Sequence, residues 1–506
     1  MLVRDVLRLL NLGNSVAEED KDLDNYFVET ETFRKLISDE GDVIAGDKGT
    51  GKTALYRILN RRYSSLPALN KVEVVTAFNP TGSSIFQRMA MDKVLTEGQY
   101  ITVWKAYALS LAGNWLLELY DESNYTPSMK KLDALLMRVD LRVPDDRPTT
   151  IFSKLFNLIR RYTQPQAAGI EFTFNEAGFP ESVMPKVEFS DNPQNSDSDG
   201  DKHIIRHTES LGLLNSALEE ADLTMWLVLD RLDEAFQGYP DTEIPALRGL
   251  LRTYLDMKEF ERLRLKMFVR NDLFRKITFG TEGFVNLTHI RRIDVVWDDE
   301  DLLNLLVRRI KTNAEFVEIL DLEGKTAKEI FYALFPDQVD AGTGRSKTWN
   351  WILARIRDGN NVKPPRNLID LIKRAQEEQQ RREGREGEAR DFTEESTLIT
   401  SDAIKNALSR LSSVRVEDTL LAESGIYAQY IERFRDGKAE HDFESIMNVL
   451  DLPASETRSV VKVLVDIGFL EQLKETYKVP MLYRDGLNIK QGRAFQTPEV
   501  EVMEEE

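Results

Sequence analysis

The chain has no cysteine and only four histidines among 506 residues. Disulfides, zinc ribbons, iron–sulfur clusters and thiol nucleophiles are excluded by that alone. The lack of cysteine fits a reducing compartment. Long apolar runs are missing too, none approaching the ~20 residues of a membrane span. Met1 to Leu12 is apolar but broken by Arg4, Asp5 and Arg8, so it reads as a short amphipathic helix and not as a signal peptide. Positive charge is in deficit, with 67 Lys and Arg against 86 Asp and Glu, for a net charge of −19. Such a chain does not coat nucleic acid over its whole surface, and any contact with DNA or RNA needs a local basic patch. No internal repeat is visible, which argues against a solenoid. These absences predict a soluble, cytoplasmic protein with no membrane partner.

What is present is an ordinary globular balance, 42% hydrophobic and 30% charged, in a chain long enough for roughly three domains. Asp42 to Gly46 reads as a short apolar strand running into glycine, and 52–62 as a helix. Lys71 to Phe78 reads as a second strand, closed by Asn79-Pro80. A long helical pattern covers 98–120. Residues 163–205 are polar and punctuated by proline and glycine, which predicts an insertion with a mobile tip. Helices at 208–220 and 243–258 flank the continuous apolar strand Met225-Trp-Leu-Val-Leu-Asp230, and Leu265 to Val269 is another. Strand–helix alternation of this kind predicts a doubly wound α/β domain with a parallel sheet. From Asp298 onward the patterns are helical.

Gly46-Asp47-Lys48-Gly49-Thr50-Gly51-Lys52-Thr53 fits the phosphate-loop pattern G-x-x-x-x-G-K-[ST] in full. It stands between a strand and a helix, the context the pattern requires. Glycines let the backbone wrap a phosphate, and the amides at the start of the helix that continues through Ala54 face the anion. Lys52 is placed to reach the outer phosphates, and the Thr53 hydroxyl to bind magnesium. A second carboxylate is needed on a neighbouring strand, and Asp230 supplies it as a further magnesium ligand. Asp233 or Glu234, just beyond, is placed to act as the general base that polarises a water. Arg270-Asn271-Asp272 ends the strand Leu265–Val269 at the crevice where parallel sheets bind ligands, so Arg270 or Asn271 is placed to read a γ-phosphate. Arg366 follows Pro364-Pro365 at a helix start and can couple closure of a lid to the nucleotide. The expected cofactors are ATP and Mg2+.

The order of these elements resembles the AAA+/STAND superclass of P-loop ATPases. Asp230-Arg-Leu-Asp233-Glu234 is similar to the D-x-h-D-E signature of its NACHT-type members, although the residue after the first Asp is usually small there and is Arg231 here. With Asn14-Ser-Val-Ala-Glu18 and Tyr26-Phe-Val-Glu-Thr30, the motifs look closest to bacterial FunZ-like P-loop ATPases. The resemblance implies an α/β parallel-sheet P-loop NTPase core at 1–297, a helical lid at 298–376, a charged linker at 377–397, a winged-helix domain at 398–495 and an acidic tail at 496–506. It places Tyr26, Phe27 and Val28 near the adenine. It further implies an ATP-hydrolysing switch that regulates a partner effector encoded elsewhere, in conflict with phage or mobile elements, with a homo-oligomer possible. The alternative is a DNA-engaging ATPase of the origin-recognition or loader type.

Charge bears on that choice. Residues 442–479 have the order helix, turn, helix and hairpin, but the second helix carries Arg458, Lys462 and Asp466 with Glu456 just before it, a weak basic face. Nucleic acid is therefore not the favoured partner. His203 and His207, four apart, suit two metal ligands on one helix face, yet no third ligand is evident and a solvated surface is the simpler reading. Trp297 to Arg309 reads as a core-facing lid helix, with Arg308-Arg309 as favourable charge at its C-terminus.

Overall fold

The computed structural model describes residues 1–77, 95–139, 141–142, 207–232, 240–278, 287–385, 387–393 and 396–491. The insertion expected at 163–205, the acidic tail expected at 496–506, His203 and the side chain of His207 lie outside the described residues. The chain forms two compact units. One comprises Glu31–Gly46 and Lys52–Val295, and the other Met1–Thr30, Asp47–Gly51 and Val296–Glu506.

The first unit is built on a five-stranded parallel sheet. Its strands are β1 Val43–Gly46, β2 Val72–Thr76, β3 Thr224–Leu229, β4 Leu263–Arg270 and β5 Arg292–Asp294, in the order β2-β3-β4-β1-β5. β1 is buried throughout and β3 at all but its first residue. Helices cover both faces of a parallel sheet, which is why these strands read as unbroken apolar runs. Helix Glu97–Glu118 starts at a capping box in which Thr96 and Gln99 satisfy each other's backbone amides. It packs against helix Pro240–Met257, where Trp104 Nε1 donates to the Ala246 carbonyl at 2.9 Å. A Cβ on Gly249 would come within 2.7 Å of Tyr100 Cβ, so the two helices can approach only at glycine. β5 was not legible in the sequence: three residues with a single buried position carry no periodic signal.

The start of β1 is fixed by a buried ion network. Lys266, in the middle of β4, has no exposed side-chain surface. Its ammonium donates to Asp42 Oδ1 at 2.8 Å, to the Gly41 carbonyl at 2.7 Å and to Asp39. It also lies 4.3 Å from the centre of the Trp226 ring. Arg291 and the Tyr254 hydroxyl reach the other Asp42 oxygen, at 3.5 and 3.1 Å. A buried ammonium is tolerated only with partners of this kind.

The second unit is almost entirely helical. Helices Asp299–Lys311, Ala327–Leu334, Thr348–Ile356 and Pro365–Glu383 precede Ser401–Arg415. The N-terminal helix Val3–Leu9 buries Val3, Val6 and Leu7 in the same core. Helix Pro365–Glu383 runs into the segment read from the sequence as a charged linker. The reason is pairing: Glu378 and Glu383 are each 1% exposed and engage Arg381, Arg410 and Arg390. Further on, helices Phe443–Leu450 and Ala454–Asp466 lead to an antiparallel sheet. Its strands are β6 Glu440–His441, β7 Glu471–Gln472 and β8 Tyr477–Lys478, in the order β6-β8-β7. This module docks on the turn after helix Thr348–Ile356, where Gly359 N donates to the Gly468 carbonyl at 2.7 Å and Arg357 pairs with Glu471 at 3.2 Å. No helix among the described residues is long and apolar enough to cross a membrane.

Lys266→Met removes one cation from the buried network and leaves Asp42 with Arg291 and the Tyr254 hydroxyl. Urea denaturation should show a loss of about 3–5 kcal/mol, the usual cost of stranding a buried charge. A loss below about 1 kcal/mol would mean that the strand is held by packing and not by this network.

Candidate functional site

In the sheet unit, β1 ends at Gly46 and the chain re-enters the unit at Lys52, the first residue of helix Lys52–Arg62. Leu55, Tyr56, Ile58 and Leu59 form that helix's buried face, and Ala54 sits half-buried in its first turn. Lys52 Nζ donates to the Gly46 carbonyl at 2.9 Å, so the lysine bends back along its own loop. Asp230 follows directly on β3 and is 3% exposed. The Thr53 hydroxyl and the Arg231 amide favour its ionised form, and its Oδ2 is buried with no hydrogen-bond partner. Burial pushes the Asp230 carboxyl up to about 6, against the opposing pull of the Arg231 amide, the Thr53 hydroxyl and the Lys52 charge. Arg231 has a φ of 57°, the left-handed region, which a small residue enters more easily than a long one. A buried carboxylate oxygen without a donor, beside a hydroxyl, is an oxygen-donor pair suited to a hard divalent cation such as magnesium.

The register pairs Gly46 with Arg270 across β1 and β4. Arg270 is held by Asp272 through two hydrogen bonds, of 3.0 and 2.8 Å. Asn271 Oδ1 accepts from Arg292 Nη2 at 3.0 Å. Both residues thus stand at the strand end that the sequence assigns to phosphate reading, already engaged by neighbours. Asp233 and Glu234, the two candidates for the base, lie outside the described residues.

The middle of the loop, Asp47 to Gly51, belongs to the helical unit. Gly49 and Gly51 have φ of +77° and +96°, the left-handed region that glycine enters without penalty. Gly49 is also crowded. A Cβ there would lie 3.2 Å from Arg366 Cβ and 3.4 Å from Pro364 Cβ. The Thr50 hydroxyl donates to the Asp47 carbonyl at 2.8 Å and closes the turn. Lys48 pairs with Glu423. Arg366 opens helix Pro365–Glu383, and its Nε is buried without a hydrogen-bond partner.

Two anchors of this region had no signal in the sequence. Trp297 Nε1 donates to the Thr50 carbonyl at 2.7 Å, tying the loop to the segment before helix Asp299–Lys311. Arg309, read from the sequence as a favourable charge at a helix end, is 3% exposed. It pairs with Asp20 at 3.0 Å, donates to the Asn14 carbonyl at 3.1 Å and lies 4.1 Å from the centre of the Tyr26 ring. The helix therefore uses this arginine to hold residues 12–26 in place. Phe27 and Val28 follow, both buried. The Phe27 carbonyl accepts from Arg308 at 2.7 Å. Val28 packs with Leu305 and Ile369 in a small apolar cluster that Trp297 borders.

No protein-family model matches the chain. Among curated proteins it is 25% identical over 412 residues to the putative transposon gamma-delta 80.3 kDa protein of Escherichia coli K12, a match covering 80% of this chain and 50% of that protein. The chain thus spans about half the length of the curated relative it matches. Among solved structures it is similar to the Aeropyrum pernix ORC1 protein in complex with DNA, at TM-score 0.33 and 14% identity, over 91% of this chain and 92% of that one. It is also similar to the Aeropyrum pernix ORC2 protein in ADPNP–ADP complexes, at TM-score 0.28 and 13% identity, over 90% of each chain. Both scores are low.

Proposed function

We propose that this chain binds ATP with magnesium at Gly46–Thr53 and hydrolyses it, as a nucleotide-driven switch of the AAA+/STAND kind. The observation that carries the reading is the pairing of a complete phosphate-loop sequence with Asp230. The Thr53 hydroxyl favours the charged form of that carboxylate, which keeps one buried oxygen unpartnered. Lys52 and the loop amides would hold the β- and γ-phosphates, and Thr53 and Asp230 would hold the metal. Magnesium supplies neutralisation of phosphate charge. Asp233 or Glu234 takes the proton of the attacking water. Arg366, whose stem crosses Gly49, meets the terminal phosphate. Phe27, Val28 and the apolar cluster around Val28 favour an adenine.

The partner of this switch is a protein encoded elsewhere. Helix Ala454–Asp466 sets Arg458 and Lys462 against Glu456 and Asp466, and Arg458 lies 5.6 Å from the centre of the Phe443 ring. That face does not supply the dense positive charge that DNA backbones reward. A role in conflict between a bacterium and its phages or mobile elements rests on the motif resemblance. The Escherichia coli relative, a putative transposon protein, is in keeping with it.

Lys52→Ala should weaken ATP binding by about tenfold or more in isothermal calorimetry, because a charge-assisted contact to phosphate is worth about 1.5–3 kcal/mol. Equal affinity in the two proteins would remove the loop from the reading. Binding and turnover separate at the base. The double variant Asp233→Asn with Glu234→Gln should hold ATP with near wild-type affinity, while phosphate release in a coupled assay falls by about 100-fold or more. Turnover at the wild-type rate would place the base elsewhere.

A further inference from the structure

Arg366 and Asp370 are four residues apart on helix Pro365–Glu383. Opposite charges at that spacing face each other on a helix and normally pair. Here they do not. The Asp370 carboxylate is taken by Arg415, the last residue of helix Ser401–Arg415. The Arg415 side chain is 7% exposed, and its Nε donates to Asn367 Oδ1 at 2.7 Å. Asn367 in turn donates to the Ile356 carbonyl at 2.9 Å, which fixes its amide. Arg415 is therefore held on Asp370 from two sides. Arg366 has no ion pair among the described residues, its Nε is buried without a hydrogen-bond partner, and its stem passes Gly49. Beyond Arg415 the chain makes a six-residue π-helical turn, Val416–Leu421, and then reaches Glu423, which pairs with Lys48 of the loop. π-Helical turns are rare and concentrate at functional sites. One short segment thus grips the phosphate loop at one end and the natural partner of Arg366 at the other.

We propose that Arg415 is a positioning residue for nucleotide sensing: by occupying Asp370, it keeps Arg366 uncompensated beside the phosphate loop. The inference rests on the reading that ATP binds at the loop and that Arg366 meets its terminal phosphate. Without Arg415, the Asp370 carboxylate turns to the arginine one turn before it, and Arg366 loses the charge that distinguishes ATP from ADP. The C-terminal part of the chain, through residues 415–423, then decides whether the loop reads the third phosphate. A partner that pulls this segment away would silence the sensor without touching the nucleotide.

The test is competition of ATP and of ADP against a fluorescent ADP analogue, in full-length wild type, Arg415→Gln, Asp370→Asn and the double variant. Arg415→Gln should narrow the preference for ATP over ADP by about fivefold or more, with ADP affinity nearly unchanged. Asp370→Asn should keep the wild-type preference. The double variant should recover it, because no competing carboxylate remains, and a merely structural arginine predicts no such rescue. An unchanged preference in Arg415→Gln overturns the proposal, as it would if Asp370 turned to Arg374 instead. So does a double variant as impaired as the single one. If Arg415→Gln does not fold, the double variant, which buries no lone carboxylate, decides the matter: lost preference in the folded protein overturns the proposal. Wild type that binds neither nucleotide overturns the underlying reading. Binding that Lys52→Ala abolishes and Arg366→Ala makes indifferent to the third phosphate, with Arg415→Gln silent, overturns this inference alone.

Discussion

A lysine ammonium with no exposed side-chain surface, Lys266, holds the start of β1 against two aspartates and a backbone carbonyl. Everything proposed for the loop depends on where β1 ends, and β1 is only four residues long. Its beginning is pinned by Asp42, its flanks by β4 and β5, and its end by the parallel register that sets Gly46 beside Arg270. A short strand fixed this firmly delivers the loop and the following helix to a defined place. The β3–β4 register sets Leu229 beside Met267, so Asp230 leaves β3 before β4 reaches its end at Arg270, on the same edge of the sheet. The parallel sheet thus gathers these groups by geometry alone.

The loop itself is shaped by crowding as much as by freedom. Gly49 needs its left-handed φ, and it also lies against Arg366 and Pro364, so a Cβ there would press tightly on the Arg366 stem. Trp297 ties the Thr50 carbonyl, and Glu423 pairs with Lys48. Through these contacts the residues that would wrap a phosphate are packed by the helical unit, whereas Lys52, Thr53 and Asp230 belong to the sheet unit. In the proposed switch, the identity of the nucleotide is read along one continuous stretch of chain, Gly46 to Thr53. The physical requirement for a switch is a ligand with different contacts in two arrangements.

Much of this was legible in the sequence because the relevant signals are local. The strand Met225–Leu229 announces itself as an unbroken apolar run, and the loop as eight consecutive residues. The double proline before Arg366 marks a helix start, and the helix does begin at Pro365. What escaped is of two kinds. β5 and β6, of three and two residues, are too short to show a period. The other misses are contacts between distant residues: Trp297 to Thr50 spans 247 positions, and Arg309 reaches Asp20 across 289. Arginine and tryptophan carry no sign of whether they face water or another segment. The charged run after Glu377 misled for the same reason, since Glu378 and Glu383 look solvated until their arginine partners are placed beside them.

The central claim is that Thr53 and Asp230 share a magnesium ion bound with ATP. The most direct measurement is a crystal structure grown with a non-hydrolysable ATP analogue and Mn2+ in place of Mg2+, read through the anomalous signal of manganese. The account predicts one strong peak within about 2.5 Å of the Thr53 hydroxyl oxygen, with Asp230 Oδ2 reaching it through water and the analogue's phosphates inside Gly46–Thr53. An analogue bound elsewhere, or a manganese peak remote from both residues, would contradict it.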